Sequence, residues 1–143
     1  MEVGDRFPIE ELGLDDHVGP LVVYFYPRAR TDGCTLEAQE FNRNYDRFAQ
    51  AGVGLVGVST DPVEDNRGFA QECRLDFPLV SDKDGSLTNR LGLMKTYGDY
   101  GDMAARVTFL LDADGVIQEI WQVQDSPTHV QEVIERSTRP MSK

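Results

Sequence analysis

The sequence predicts an α/β fold, a mixed central sheet with flanking helices that ends in a β-hairpin and a helix. Three observations carry this prediction. Leu21–Tyr26, Val53–Ser59 and Phe77–Val80 are short, largely apolar runs without alternation, as strands buried on both faces are. Between them lie segments whose apolar residues recur at steps of three and four, the helical period. Towards the C-terminus two strand runs, 106–111 and 116–122, flank Asp112-Ala113-Asp114-Gly115, a hairpin turn signal. Strands alternating with helices imply a parallel sheet with right-handed crossovers, to which the hairpin adds antiparallel strands.

Taken in order, residues 1–20 hold Gly4, Pro8, Gly13, Gly19 and Pro20 and read as an irregular lead-in with room for one short strand. Leu21–Tyr26 is the first strand, and Pro27 stops it because it has no N–H to give a ladder. From Cys34 onward, Ala38, Phe41, Tyr45 and Phe48 fall on one face and Glu37, Glu40, Asn44 and Asp46 on others. That pattern predicts one amphipathic helix closed by Gly52. Val53–Ser59 is the second strand. Asp61-Pro62-Val63-Glu64 reads as a helix start, with an acidic N-cap, proline at the first position and glutamate three after the cap. Its helix carries Asn66, Phe69, Ala70 and Cys73 along one stripe. Phe77–Val80 is a short strand, 84–91 a short helix ended by Gly92, and 92–104 a loop with turn signals at Gly98, Asp99 and Gly101. Ser126-Pro127 opens a last helix with Val130, Val133 and Ile134 on one face, and 136–143 read as a disordered tail.

At 143 residues the chain is expected to form one domain, and 40% hydrophobic with 27% charged residues is ordinary for a soluble globular protein. No apolar run approaches the roughly 18 residues of a membrane span. The opening Met1-Glu2-Val3-Gly4-Asp5 is acidic and lacks an apolar targeting core, which predicts the cytoplasm. A net charge of −11 argues against nucleic acid and anionic membranes as partners. Two cysteines in such a chain are expected to be reduced, either catalytic or metal-binding. There is no C-x-x-C, and His17 and His129 show no ligand spacing, so no metal or cofactor is predicted.

Chemistry concentrates in Pro27-Arg28-Ala29-Arg30-Thr31-Asp32-Gly33-Cys34-Thr35. Here a strand leads into a loop and the loop into a helix, which places Cys34 inside the first helical turn. The thiolate is the nucleophilic form of cysteine, and its pKa falls at a helix N-terminus and near arginine. Gly33 permits close backbone approach, and Thr31 puts a hydroxyl three residues before the sulfur.

The spacing Pro-x3-Thr-x2-Cys resembles the active-site signature of the peroxiredoxins. With Tyr-Phe-Tyr-Pro before it and Gly-Cys-Thr-x-Glu after, it is most similar to the bacterioferritin comigratory protein branch, also called peroxiredoxin Q. The resemblance covers about residues 20–135. It implies a thioredoxin-like fold for the whole chain, 1–143, with a lead-in shorter than the family's hairpin. It further implies a thiol-dependent peroxidase that forms a Cys34 sulfenic acid, needs no cofactor, and is recycled by thioredoxin or another thiol reductant as a monomer or weak dimer. Carried over by motif, Cys34 is the peroxidatic cysteine, Thr31 and Arg106 (in Arg-x-Thr-Phe) are donors to the peroxide, and Pro27 shields the sulfur. Glu37 matches a glutamate of the branch, and an exposed helix carboxylate is the competing reading.

Two departures matter. Asp32 stands where the branch commonly has proline, and it is expected to point outward. Position 39, where many members carry a second cysteine, is Gln. Cys73 is therefore the candidate resolving cysteine, with a core cysteine as the alternative, and the two sulfurs are expected toward opposite ends of the sheet. Competing functions are a one-cysteine peroxidase resolved by an external thiol and a non-catalytic thioredoxin-fold interaction module. The missing C-x-x-C speaks against a disulfide reductase, and the absence of a partner motif for either histidine speaks against a cysteine peptidase.

Overall fold

The structure, a computed structural model, describes residues 1–14, 19–122 and 126–138. In chain order the elements are β1 (Leu21–Phe25), α1 (Asp32–Arg43), α2 (Tyr45–Gln50), β2 (Gly54–Ser59), α3 (Val63–Cys73), β3 (Leu79–Ser81) and α4 (Ser86–Arg90). They continue with β4 (Met94–Thr96), β5 (Asp102–Ala104), β6 (Val107–Leu111), β7 (Ile117–Gln122) and α5 (Ser126–Thr138). Five strands form a sheet in the order β3-β2-β1-β6-β7. The first three are mutually parallel, and β6 and β7 add antiparallel to β1 and to each other.

β1 is the middle strand and all five of its residues are buried, which is why its sequence shows no polar alternation. Successive side chains serve opposite faces. Val22 and Tyr24 face a core built with Phe41, Phe48 and Phe69 and with Val130, Val133 and Ile134 of α5. Val23 and Phe25 face Phe7, Leu87, Leu91 and Phe109. The lead-in is anchored through Phe7, fully buried against the rings of Phe25 and Phe109, and through a single bridge between Arg6 and Val116.

Four expectations are corrected. The helix predicted from Cys34 to Gly52 is two helices broken at Asn44, whose side-chain amide donates to the Glu40 carbonyl at 2.9 Å. Asparagine competes with the backbone in this way, and the interruption still leaves Phe41 and Phe48 on the core, 6.1 Å apart. α3 is capped by Pro62 without a side-chain cap bond, so Asp61 is not its cap. The loop predicted at 92–104 contains an antiparallel ribbon, β4 with β5, tied by Tyr97 Oη donating to the Ala104 carbonyl at 3.0 Å. Its turn residues were legible, but its three-residue strands are too short to show a period. Finally, α5 extends through Thr138, into the predicted tail, of which 139–143 lie outside the described residues, as does His17. Among the described residues no helix is long and apolar enough to cross a membrane, and no cluster of three or more metal-ligating side chains occurs.

Candidate active site

Thr31 adopts an extended backbone and is the N-cap of α1, so Cys34 is the third helical residue and faces inward, 1% exposed. The strand-to-helix junction was legible in the sequence. How the distant arginine reaches it was not. β6 runs antiparallel beside β1 with Val107 opposite Phe25, so the start of β6 lies against the end of β1. Arg106 therefore enters the site from the adjacent strand. Its Nη2 donates to Cys34 Sγ at 3.3 Å and its Nη1 to Glu37 Oε1 at 3.2 Å. The planar, permanently charged guanidinium suits this two-point grip.

The guanidinium lies over Gly33, where a Cβ would sit 2.6 Å from Nη2. Gly33→Ala should consequently leave the fold intact, since alanine favours a helix over glycine by up to about 1 kcal/mol. The variant should react with peroxide at least about tenfold more slowly, because Arg106 is displaced from the sulfur. A thermal melt together with stopped-flow oxidation of Cys34 checks both halves.

Glu37 is fully buried, which rejects the exposed-carboxylate reading. Burial raises its pKa to about 7, and the charge and hydrogen bond of Arg106 oppose that rise. Its second oxygen, Oε2, has no hydrogen-bond partner. Because the folded value exceeds the ordinary carboxylate value of 4.5, the folded state holds this proton more tightly. The stability from this group is complete below about pH 4.5 and is lost as pH rises through 7. Denaturation midpoints should fall across that window in the native chain and stay flatter in Glu37→Gln.

The thiol of Cys34 departs from expectation. Burial pushes its pKa up, and the Arg106 charge beside the sulfur opposes that rise. The low-dielectric setting that penalises the resting thiolate also strengthens each donor aimed at it. Thr31 Oγ1 gives its single proton to the Arg28 carbonyl at 3.0 Å, so it must rotate to donate elsewhere. Asp32 is exposed, as expected.

Beside the loop that leads into Cys34 opens a cavity of about 670 Å³ lined by Pro27, Thr31, Asp61, Tyr97, Met103 and Arg106, among others; the buried Cys34 is not part of its wall. Three of these carried no functional signal in sequence. Tyr97 and Met103 come from the ribbon that read as a loop, and Asp61 from a motif that read as a helix cap. Cys73 stays apart. It is a free, half-buried thiol at the end of α3, against the core face that also holds Cys34. The turn following it is clasped by Asn42 of α1, which donates to the Arg74 carbonyl at 3.1 Å and accepts from the Asp76 N–H at 2.7 Å.

Comparison with known proteins identifies the family and the fold. The AhpC/TSA family profile matches residues 5–120. The peroxiredoxin Bcp of Escherichia coli K12 is 38% identical over 128 residues, covering 84% of this chain and 80% of that protein. The crystal structure of a PrxQ mutant from Xylella fastidiosa superposes with a TM-score of 0.86 at 31% identity, covering 95% and 94% of the two chains. A bacterioferritin comigratory protein from Xanthomonas campestris, described with alkyl peroxide reduction activity, superposes with a TM-score of 0.79 at 34% identity, covering 87% and 82%. With its thioredoxin-like sheet, the chain belongs to the AhpC/TSA family, in the bacterioferritin comigratory protein or peroxiredoxin Q branch, whose members are thiol-dependent peroxidases.

Proposed function

We propose that Cys34 is the peroxidatic residue of this peroxidase and that Arg106, Thr31, Pro27 and Glu37 serve it. The observation that carries the reading is the Arg106 guanidinium bridging Cys34 Sγ and Glu37 Oε1. The Cys34 thiolate attacks the nearer oxygen of a hydroperoxide, hydrogen peroxide or an organic one. An S–O bond forms as the O–O bond breaks, and the leaving oxygen takes a proton to depart as water or an alcohol. Cys34 is left as a sulfenic acid. Charge grows on both oxygens in the transition state, and Arg106 and a rotated Thr31 hydroxyl are donors already at hand. Glu37 fixes the guanidinium, and Pro27 covers one side of the cavity.

Resolution by Cys73 is the second part of the proposal. Its thiolate attacks the sulfenic sulfur, a disulfide forms and water leaves, and thioredoxin or another dithiol reduces the product. The two free cysteines fit a reducing cytoplasm, and the chain acts as a monomer or weak dimer. Both thiols are free, Cys34 buried and Cys73 half-buried, and a disulfide needs its Cα atoms within about 7 Å. The end of α3 and the Asn42 clasp must therefore open first, a local unfolding of ordinary kind.

One equivalent of hydrogen peroxide added to the reduced protein tests this. A mass loss of two hydrogens with no free thiol and no dimer is the expected result. A sulfenic or over-oxidised Cys34 with Cys73 still free would replace this route by an external thiol. An unreactive Cys34 would remove the site assignment.

A further inference from the structure

The segment 27–31 is the part of the site that secondary structure holds least, yet it must present Thr31 and the first turn of α1 to the peroxide. Its two ends are held by one buried polar chain that comes from β2 and α3. At the first end, Tyr26 Oη donates to Asn66 Oδ1 at 2.5 Å. Asn66 Nδ2 donates onward to Ser59 Oγ at 2.9 Å and to Ser81 Oγ at 2.8 Å. Ser59 Oγ has one proton, and it lies 2.8 Å from Asp61 Oδ2. At the second end, that same Asp61 oxygen accepts the backbone N–H of Ala29 at 2.7 Å. Tyr26, Ser59 and Asn66 are each no more than 2% exposed. Tyr26 and Ala29 flank Pro27 and Arg28, so the chain Tyr26–Asn66–Ser59–Asp61–Ala29 closes beneath the arch of the loop.

The next residue shows that the loop needs such support. Arg30 has a φ of 67°, a left-handed backbone that a non-glycine residue adopts at a cost. Its guanidinium runs along α3, pairing with Glu72 at 2.9 Å and Asp65 at 3.7 Å. These pairs are about half exposed, and exposed ion pairs contribute little. The Asp61 bond to Ala29 is the part-buried one, short at 2.7 Å, and holds the backbone itself.

We propose that Asp61 is a positioning residue of the peroxidase: as a hydrogen-bond acceptor at one fixed point, it sets the backbone of the loop that carries Thr31 and leads into Cys34. Asp61 lines the cavity, but its hydrogen bonds go to Ala29 and Ser59 and none to the sulfur, and it acts through Ala29. What matters is where the acceptor oxygen sits and not its charge. Two near-isosteric variants separate these. Asp61→Asn keeps an acceptor oxygen at the same place, with its amide turned to the cavity. Asp61→Glu keeps the charge and moves the oxygen by one methylene.

The test measures the second-order rate constant of Cys34 with hydrogen peroxide beside the rate of Cys34 alkylation by iodoacetamide, with melts for both variants. Alkylation needs a thiolate but no donor array for an O–O bond, so a role confined to stability or thiol ionisation would move both rates together. The expected result is a loss of about tenfold or more in the peroxide rate for Asp61→Glu, against less than about threefold for Asp61→Asn. Alkylation should stay within about threefold in both variants. Three results would overturn the proposal: peroxide rates near that of the native chain in both variants, a larger loss in Asp61→Asn than in Asp61→Glu, or parallel falls in peroxide and alkylation rates.

Discussion

Replacing Cys34 by serine abolishes turnover of hydroperoxides, with a loss of at least about 10⁴-fold, while the melt changes little. The substitution exchanges one small buried side chain for another in the first turn of α1. The chemistry does not survive it. An alkoxide is far harder to form than a thiolate, and the burial that already pushes the Cys34 thiol up penalises a serine anion more. Arg106 and the loop donors remain in place, but donors stabilise charge only where a nucleophile has begun to make it. The check is peroxide consumption by the reduced variant, with Cys73→Ser alongside. If Cys34→Ser still consumed peroxide at a comparable rate, the nucleophile would lie elsewhere in the chain.

Arg106→Lys produces the second large effect, a fall of about 10² to 10³ in the rate constant with peroxide. Lysine keeps the charge and loses the geometry. Arg106 spans two partners with two different nitrogens, 3.3 Å to Cys34 Sγ and 3.2 Å to Glu37 Oε1. A single ammonium on a flexible stem cannot hold both in one plane. Either the sulfur loses its donor, or Glu37, fully buried with one oxygen already unpartnered, loses its counter-charge. Removing one member of a buried pair destabilises the fold as well as the reaction. The double variant Arg106→Lys with Glu37→Gln separates the two effects. It should regain the stability lost in the single variant and leave the peroxide rate low. Stopped-flow oxidation and urea melts of the three variants measure this, and a double variant restored in rate would place the role of Arg106 in stability alone.

The sequence was readable where local chemistry and local structure coincide. The unbroken apolar run of β1, the stop at Pro27 and the helix that begins before Cys34 are neighbours in the chain, and each enforces the next. Arg106 was reachable because its Arg-x-Thr-Phe run is a contiguous motif. The break at Asn44 escaped because a side-chain bond to Glu40 interrupts a helical period without changing it. The ribbon of β4 and β5 escaped because three-residue strands carry no period, and with it went Tyr97 and Met103 of the cavity wall.

Glu37 and Asp61 show the sharper limit. Glu37 sits in the second turn of α1, where a carboxylate is ordinarily solvated, and Asp61 sits just before α3, where it ordinarily caps the helix. Which face of α1 is buried at Glu37 depends on an arginine 69 positions away, and the partner of Asp61 is an amide 32 positions earlier. By itself the sequence determined the alternation of strands and helices, the placement of Cys34 at a helix start and the residue types that peroxide chemistry needs. Those follow from short-range sterics, hydrogen bonding and hydrophobic period. Only the tertiary structure decided that β6 lies antiparallel beside β1, so that one guanidinium grips both the sulfur and a buried glutamate, and that Asp61 turns from the start of α3 to the loop before α1. Such pairings are set by how the sheet assembles and by which polar groups burial leaves in need of a partner, and neither quantity is local in the chain.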